Sequence, residues 1–228
     1  MTIYEEIAQE FDQWALNNRA ESMGNGHWDV TVQMLQKIVI SADDVVLDVG
    51  CGNGWLVREL LGKGCQKGYG IDISEKMIKE AQRCSIDPKH EIYAVSNAEN
   101  LDFTDNYFSL ITNIESLYYY PEPKKALEEW YRISKKNGQL AIMMDLYQEN
   151  PATHNWVEAL NIPVHVFSKE QLRDWLTECG WQNIQMFQIQ DRRPVKTESE
   201  FTASAYWPSY EQYLEYRRTG SLCIVASK

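Results

Sequence analysis

The chain has 228 residues, 44% of them hydrophobic, and carries 22 basic against 33 acidic side chains, for a formal net charge of −11. A surface that acidic repels polyanions and forfeits the counterion release that drives most nucleic-acid binding, so nucleic-acid partners are not expected. The first residues, Met1-Thr2-Ile3-Tyr4-Glu5-Glu6, are acidic with no apolar run behind them, and no stretch approaches the ~18 apolar residues of a membrane span, so a soluble cytoplasmic protein without membrane contact is expected. Ile3, Ile7, Phe11 and Trp14 recur near helical spacing and predict an amphipathic helix over residues 3–17. Val32, Leu35 and Ile38 or Val39 predict a second over 28–39. Apolar runs at 45–49, 68–72, 91–95, 108–113 and 139–145 then alternate with helical patterns at 54–61, 74–84 and 124–133. Such βα alternation builds a doubly wound parallel sheet with right-handed crossovers.

Ser74 is placed as a helix N-cap, and Asn137-Gly138 as a turn before the fifth strand. Residues 147–166 are irregular. Ser168, with Gln171 three residues on, opens a capping-box helix that ends at Gly180. The last strands fall at 184–189 and 222–226. The segment 190–220 between them is long for a hairpin, is predicted to hold a helix over 209–218, and is aromatic enough to be ordered (Phe201, Tyr206, Trp207, Tyr210, Tyr213, Tyr216). No Pro/Gly/Ser-rich linker divides the chain, so one domain over 1–228 is expected. Five cysteines without C-x-x-C pairing argue against a disulfide framework or a zinc site.

The densest signal is Val45-Val46-Leu47-Asp48-Val49-Gly50-Cys51-Gly52-Asn53-Gly54, a buried strand that stops in alternating glycines before a helix. A turn without Cβ atoms lets a nucleotide-like ligand lie against the backbone. Asp72 ends the next apolar run, where a carboxylate can accept hydrogen bonds from both hydroxyls of a ribose. A nicotinamide-dependent dehydrogenase would share these features, but the third glycine of its G-x-G-x-x-G is Val57 here.

Asp48-x-Gly50-x-Gly52-x-Gly54, Asp72, the stretch from Ser96 to Leu101, the stretch from Leu117 to Pro123, and Trp130-x3-Ser134 through Leu140 follow one another in order. This set resembles the successive motifs of class I S-adenosylmethionine-dependent methyltransferases, and most resembles the small-molecule branch typified by the ubiquinone/menaquinone-biosynthesis enzymes. The similarity runs from about residue 45 to 145 and, more weakly, over the C-terminal strands. The resemblance implies a mostly parallel seven-stranded sheet of order 3-2-1-4-5-7-6 with an antiparallel last strand. It divides the domain into an N-terminal helical lid (1–40), a cofactor-binding core (45–145) and a substrate-covering segment (146–228), with Gly24 and Gly26 as the hinge of the lid.

It further implies that S-adenosylmethionine lies against Gly50, Gly52 and Gly54. Asp48 would meet its amino group, Asp72 its ribose, and Asn97, Ala98 and Ile73 its adenine. Glu115, Trp14 and Arg19 join this cofactor-binding set, Arg19 as partner of the cofactor carboxylate. Methyl transfer to a small organic acceptor, by in-line displacement in a closed pocket, is the implied activity; a macromolecular acceptor, protein or tRNA, is the alternative. The family's metal-dependent members cluster acids after the fourth and fifth strands, whereas here Asn113 takes the first position and leaves Asp145 alone, so no metal is expected. No Asn-Pro-Pro-Tyr motif is present, which argues against methylation of adenine or glutamine nitrogen. No obligate catalytic residue is legible; His27, Tyr119 and His154 are the candidates for a base, with His165 in the same covering loop and His90 on the far side of the sheet. A monomer or homodimer is expected.

Overall fold

The computed structural model describes residues 1–17 and 19–228. Helix α1 (Ile3–Leu16) starts at a capping box, in which the Thr2 hydroxyl accepts the Glu5 N–H and the Glu5 carboxylate accepts the Thr2 N–H. Helix α2 spans Arg19–Leu35, so the second helix begins well before the predicted residue 28. The expected hinge is corrected with it: Gly24 and Gly26 lie inside α2, and neither has a positive φ. Gly24 is instead a close-packing position, since a Cβ there would come within 3.0 Å of the Trp55 ring.

There follow β1 (Val45–Val49), α3 (Trp55–Gly62), β2 (Lys67–Asp72), α4 (Glu75–Cys84), β3 (Glu91–Val95), β4 (Phe108–Ile114), α5 (Pro123–Ile133) and β5 (Ser134–Met144). The C-terminal part adds α6 (Trp156–Ala159), α7 (Lys169–Cys179), β6 (Gln182–Ile189), α8 (Tyr210–Thr219) and β7 (Ser221–Ser227). The strands form one sheet of order β3-β2-β1-β4-β5-β7-β6, with β7 antiparallel to both of its neighbours, as expected. Strand β5 starts five residues before its predicted start. The Asn137-Gly138 turn is absorbed as a kink, with Asn137 at φ 64° and the pairing with β4 shifting between Phe108 and Leu110.

Alternation along the strands sorts the core into two layers. Leu140, Ile142 and Met144 face the layer holding Leu127 and Trp130 of α5 and Leu172 and Leu176 of α7. Ala141 and Met143 face Met34 and Leu35 of α2 and Leu56 and Leu60 of α3. The predicted order in residues 190–220 is present: α8 carries Tyr216 onto Trp207, ring centroids 4.4 Å apart, with Trp156 beside both. Among the described residues no helix is long and apolar enough to cross a membrane. Strand order reverses between β1 and β4, and crevices open beyond the carboxyl ends of strands at such a reversal.

Candidate active site

A cavity opens there, floored by the ends of β1, β2 and β4 and covered by Tyr4, Ile7, Phe11 and Trp14 of α1 and Met23 and His27 of α2. The glycine turn forms one wall. Gly50 and Cys51 both donate to the Ile71 carbonyl, at 2.8 and 2.9 Å, which folds the turn back onto β2. Gly50 has φ 73°, and a Cβ on it would overlap the Ser116 hydroxyl, so glycine is required on both counts.

Asp72 closes the next wall. One carboxylate oxygen accepts the Gly52 N–H at 3.0 Å and the other the Ser74 N–H at 2.9 Å, cross-linking the glycine turn to the start of α4. Each oxygen retains a lone pair for a ligand. Burial pushes the Asp72 carboxyl up to about 6 and that of Asp48 up to about 7, against hydrogen bonds that favour the charge. For Asp48 that bond comes from the Thr112 hydroxyl at 2.7 Å.

Of the residues singled out from sequence, Trp14, His27, Asp48, Gly50, Gly52, Asp72, Ile73, Asn97, Ala98, Glu115 and Tyr119 line this cavity together. The Asn97 side-chain oxygen already accepts the Glu99 N–H at 2.9 Å, which leaves it one lone pair. Gly54, Arg19 and His154 are placed elsewhere. Gly54 caps α3 with Tyr93 packed where its Cβ would stand. The Arg19 guanidinium lies 3.5 Å over the Trp14 ring and donates to the Tyr206 hydroxyl, so its charge is engaged by these two aromatics. His154 sits against the Tyr147 and Gln148 carbonyls at 3.3 and 3.1 Å, His165 stacks on Phe167, and His90 pairs with Asp87.

Sequence reasoning missed Tyr4, Trp55, Ser116 and Tyr120 of the wall. Beneath Gly50 the Asn113 amide donates to the Val49 carbonyl at 2.9 Å and to the Tyr120 hydroxyl at 3.0 Å, with the Ser116 hydroxyl between them. Nothing in linear order pairs these residues with Gly50; only the β1–β4 adjacency does.

One expectation is overturned. Asp145 does not stand alone: Glu115, the residue after β4, and His27 of α2 join it, each offering a donor atom within 4.8 Å of the others. The sequence comparison failed because it looked for the first acid at Asn113, whereas the acid is two residues on. Glu115 takes φ 53°, a left-handed conformation that carries its side chain to Asp145. The Tyr118 hydroxyl donates to Glu115 and the Tyr216 hydroxyl to Asp145, both at 2.7 Å. Burial, and then the charge of Asp145, holds the Glu115 carboxyl well above the usual carboxylate range. Burial pushes the His27 imidazole down, so it is neutral near pH 7.

A family model described as a methyltransferase domain matches residues 47–142. The O-methyltransferase resE of Aspergillus sclerotiorum is 28% identical over 190 residues, covering 80% of this chain and 72% of its own. A demethylmenaquinone methyltransferase of Paenarthrobacter aurescens is 28% identical over 212 residues, covering 80% of this chain and 78% of its own. Among solved structures, the methyltransferase partner in a complex with the Haloferax volcanii Trm112 methyltransferase activator superposes with a TM-score of 0.88 at 28% identity, over 95% of this chain and 96% of that one.

Proposed function

Since this chain is a class I S-adenosylmethionine-dependent methyltransferase, we propose that its cavity binds the cofactor over β1 and β2 and methylates a small organic acceptor seated toward β4 and β5. The observation that carries this reading is the continuous wall from Asp48 through the glycine turn to Asp72. It offers two carboxylates, Asp48 buried and Asp72 half-buried, and a backbone without Cβ to a ligand with a cationic amino group and a ribose.

When bound, S-adenosylmethionine supplies a methyl group on a positively charged sulfur, which a nucleophile displaces in line. The remaining work belongs to the protein. Asp72 receives the ribose hydroxyls, and Asp48 faces the amino group. Asn97 and Ala98 flank the base, with Ile73 against its ring. Phe11, Trp14 and Tyr119 keep the reacting end dry and narrow, so that the barrier falls through alignment and exclusion of water.

Calorimetry with S-adenosylhomocysteine tests the cofactor site. Asp72→Ala should weaken binding ~10–100-fold, the loss of one or two charge-assisted bonds; unchanged affinity would sink the assignment. A panel of phenols, hydroxyls and amines assayed for S-adenosylhomocysteine release tests the acceptor class.

A second reading is favoured by the Haloferax complex: turnover on a macromolecule with the help of a Trm112-type activator. In this chain β3 is an unpaired sheet edge, with Val95 on it and Ile86 just before it both exposed, and such an edge accepts a strand from a partner. Stimulation of turnover by a purified Trm112-type protein, lost in Val95→Glu, would favour it; no change on addition would exclude it.

A further inference from the structure

Two buried carboxylate oxygens beside the cavity have no partner. Glu115 Oε1 and Asp145 Oδ1 are unbonded, while the second oxygen of each carboxylate accepts from a tyrosine. Glu115 is 7% exposed and Asp145 0%. Among the described residues neither acid has a lysine or arginine within ion-pair distance; His27, whose Nδ1 is 3.5 Å from Asp145 Oδ2, is the only basic side chain paired with either. An orphaned buried acceptor costs ~1–3 kcal/mol, and more when charged, so one on each of two acids whose carboxylates meet calls for a cation.

We propose that His27, Glu115 and Asp145 bind one divalent transition-metal ion, of the manganese, iron or zinc type, with an open coordination position facing the cavity. Two carboxylates balance the charge of such an ion, and an imidazole ligand selects it over magnesium or calcium. Metal–ligand bonds of about 2.1 Å set neighbouring ligands of a tetrahedral ion about 3.4 Å apart. The His27 Nδ1–Asp145 Oδ2 separation of 3.5 Å is already at that value, on the carboxylate oxygen that also accepts from Tyr216. Rotation of the longer Glu115 side chain closes the remainder from the 4.8 Å limit.

Tyr118 and Tyr216 act as outer partners that orient the two carboxylates. His27 and Glu115 line the cavity, which gives the ion an entry path and leaves one position directed at whatever sits there. The strained backbone of Glu115 is the conformation such a ligand needs. Resting on the methyl-transfer reading, the ion would hold an oxygen of the acceptor; its binding to the protein does not depend on that reading.

The test uses the full chain, treated with chelator and dialysed, then titrated with Mn²⁺ alone and followed by electron paramagnetic resonance; manganese avoids competition from the five thiols. One Mn²⁺ per chain is expected, with affinity reduced at least ~10-fold in Asp145→Asn and in His27→Gln. Circular dichroism and retained S-adenosylhomocysteine binding show that Asp145→Asn is folded; should it not fold, His27→Gln, on a helix at the cavity rim, decides alone. No stoichiometric binding of Mn²⁺ or Zn²⁺ by the unaltered protein, or equal binding by a folded variant, overturns the proposal. Capture of ethylammonium without metal also overturns it, in favour of an organic cation. Metal binding with no S-adenosylhomocysteine binding would instead remove the cofactor assignment and leave the metal site standing.

Discussion

Asp48 is held where its charge is costly. Asp48, on β1 at the cavity floor, is 3% exposed, and burial pushes its carboxyl up to about 7 from an ordinary 3.8. Because the folded value lies above the unfolded one, the neutral form is favoured by folding. The associated stability is present below about pH 4, declines as pH rises, and is gone above about 7. Ionisation at pH 8 therefore costs the ligand-free fold on the order of 4 kcal/mol. Asp48→Asn removes that cost, since an amide oxygen still accepts from Thr112. The variant should resist urea better than the unaltered protein at pH 8, with little difference at pH 4, while losing cofactor affinity. A pH-independent difference in denaturation midpoint would contradict this account. Asp72, pushed up to about 6 by burial, predicts the companion effect: S-adenosylhomocysteine affinity should fall as pH drops through 6, because a protonated carboxyl loses acceptor capacity toward the ribose. Calorimetry at pH 5 and 8 checks it. Asp72 was legible in the sequence because it ends an apolar run, and Asp48 because it opens the motif Asp48-x-Gly50-x-Gly52-x-Gly54 that carries the family resemblance. Glu115 with Asp145 was not, since their meeting depends on the positive φ that turns Glu115 toward Asp145.

At the scale of elements, α1 decides whether the cavity is a closed chamber or an open shelf. Its attachment combines a few polar contacts with the apolar face of Ile7, Phe11 and Trp14. Asp12 accepts from the Ser74 hydroxyl at 2.6 Å and the Lys76 N–H at 3.1 Å, so its charge sits at the N-terminus of α4. Tyr4 donates to Glu99, and Phe11 meets Tyr119 edge-to-face at 4.9 Å. Ile7 and Trp14 are buried on the cavity side, where a ligand would complete their packing. Helices held this way open at a lower cost than the sheet core. Amide exchange in residues 4–28 should slow when S-adenosylhomocysteine is added, and protection equally high without it would make α1 a permanent layer. Asp12→Ala should loosen α1 and weaken cofactor binding several-fold with the sheet still protected. The strands and most helices were legible from apolar periodicity alone. The extent of α2 was not, because Gly24, Asn25 and Gly26 look like a break until Trp55 is seen to pack on Gly24. The Asn137-Gly138 kink was misplaced for a related reason: pairing with β4 at Ser134 and again from Gln139 keeps the strand continuous around a turn-like sequence.

Over the whole molecule, ligand binding and charge yield a test that separates the readings of the fold without knowledge of the acceptor. A ligand that binds only the folded chain stabilises it by RT ln(1 + [L]/Kd), about 2.7 kcal/mol at a hundredfold excess over Kd. For a domain of this length 1 kcal/mol moves the melting temperature by about 2–4 °C. S-adenosylhomocysteine should therefore raise Tm by about 5–10 °C. NAD should leave it unchanged, because the glycine turn places Val57 where a dinucleotide fold needs its third glycine, and because Tyr93 fills the space beside Gly54. A shift with NAD comparable to that with S-adenosylhomocysteine would return the chain to the dehydrogenase reading. The same melts with tRNA added at low salt address the macromolecular alternative. A net charge of −11 opposes the approach of a polyanion, so tRNA should neither shift Tm nor displace S-adenosylhomocysteine. A salt-sensitive shift with tRNA would show that the net charge conceals a local basic face, and would move the acceptor from small molecule to nucleic acid.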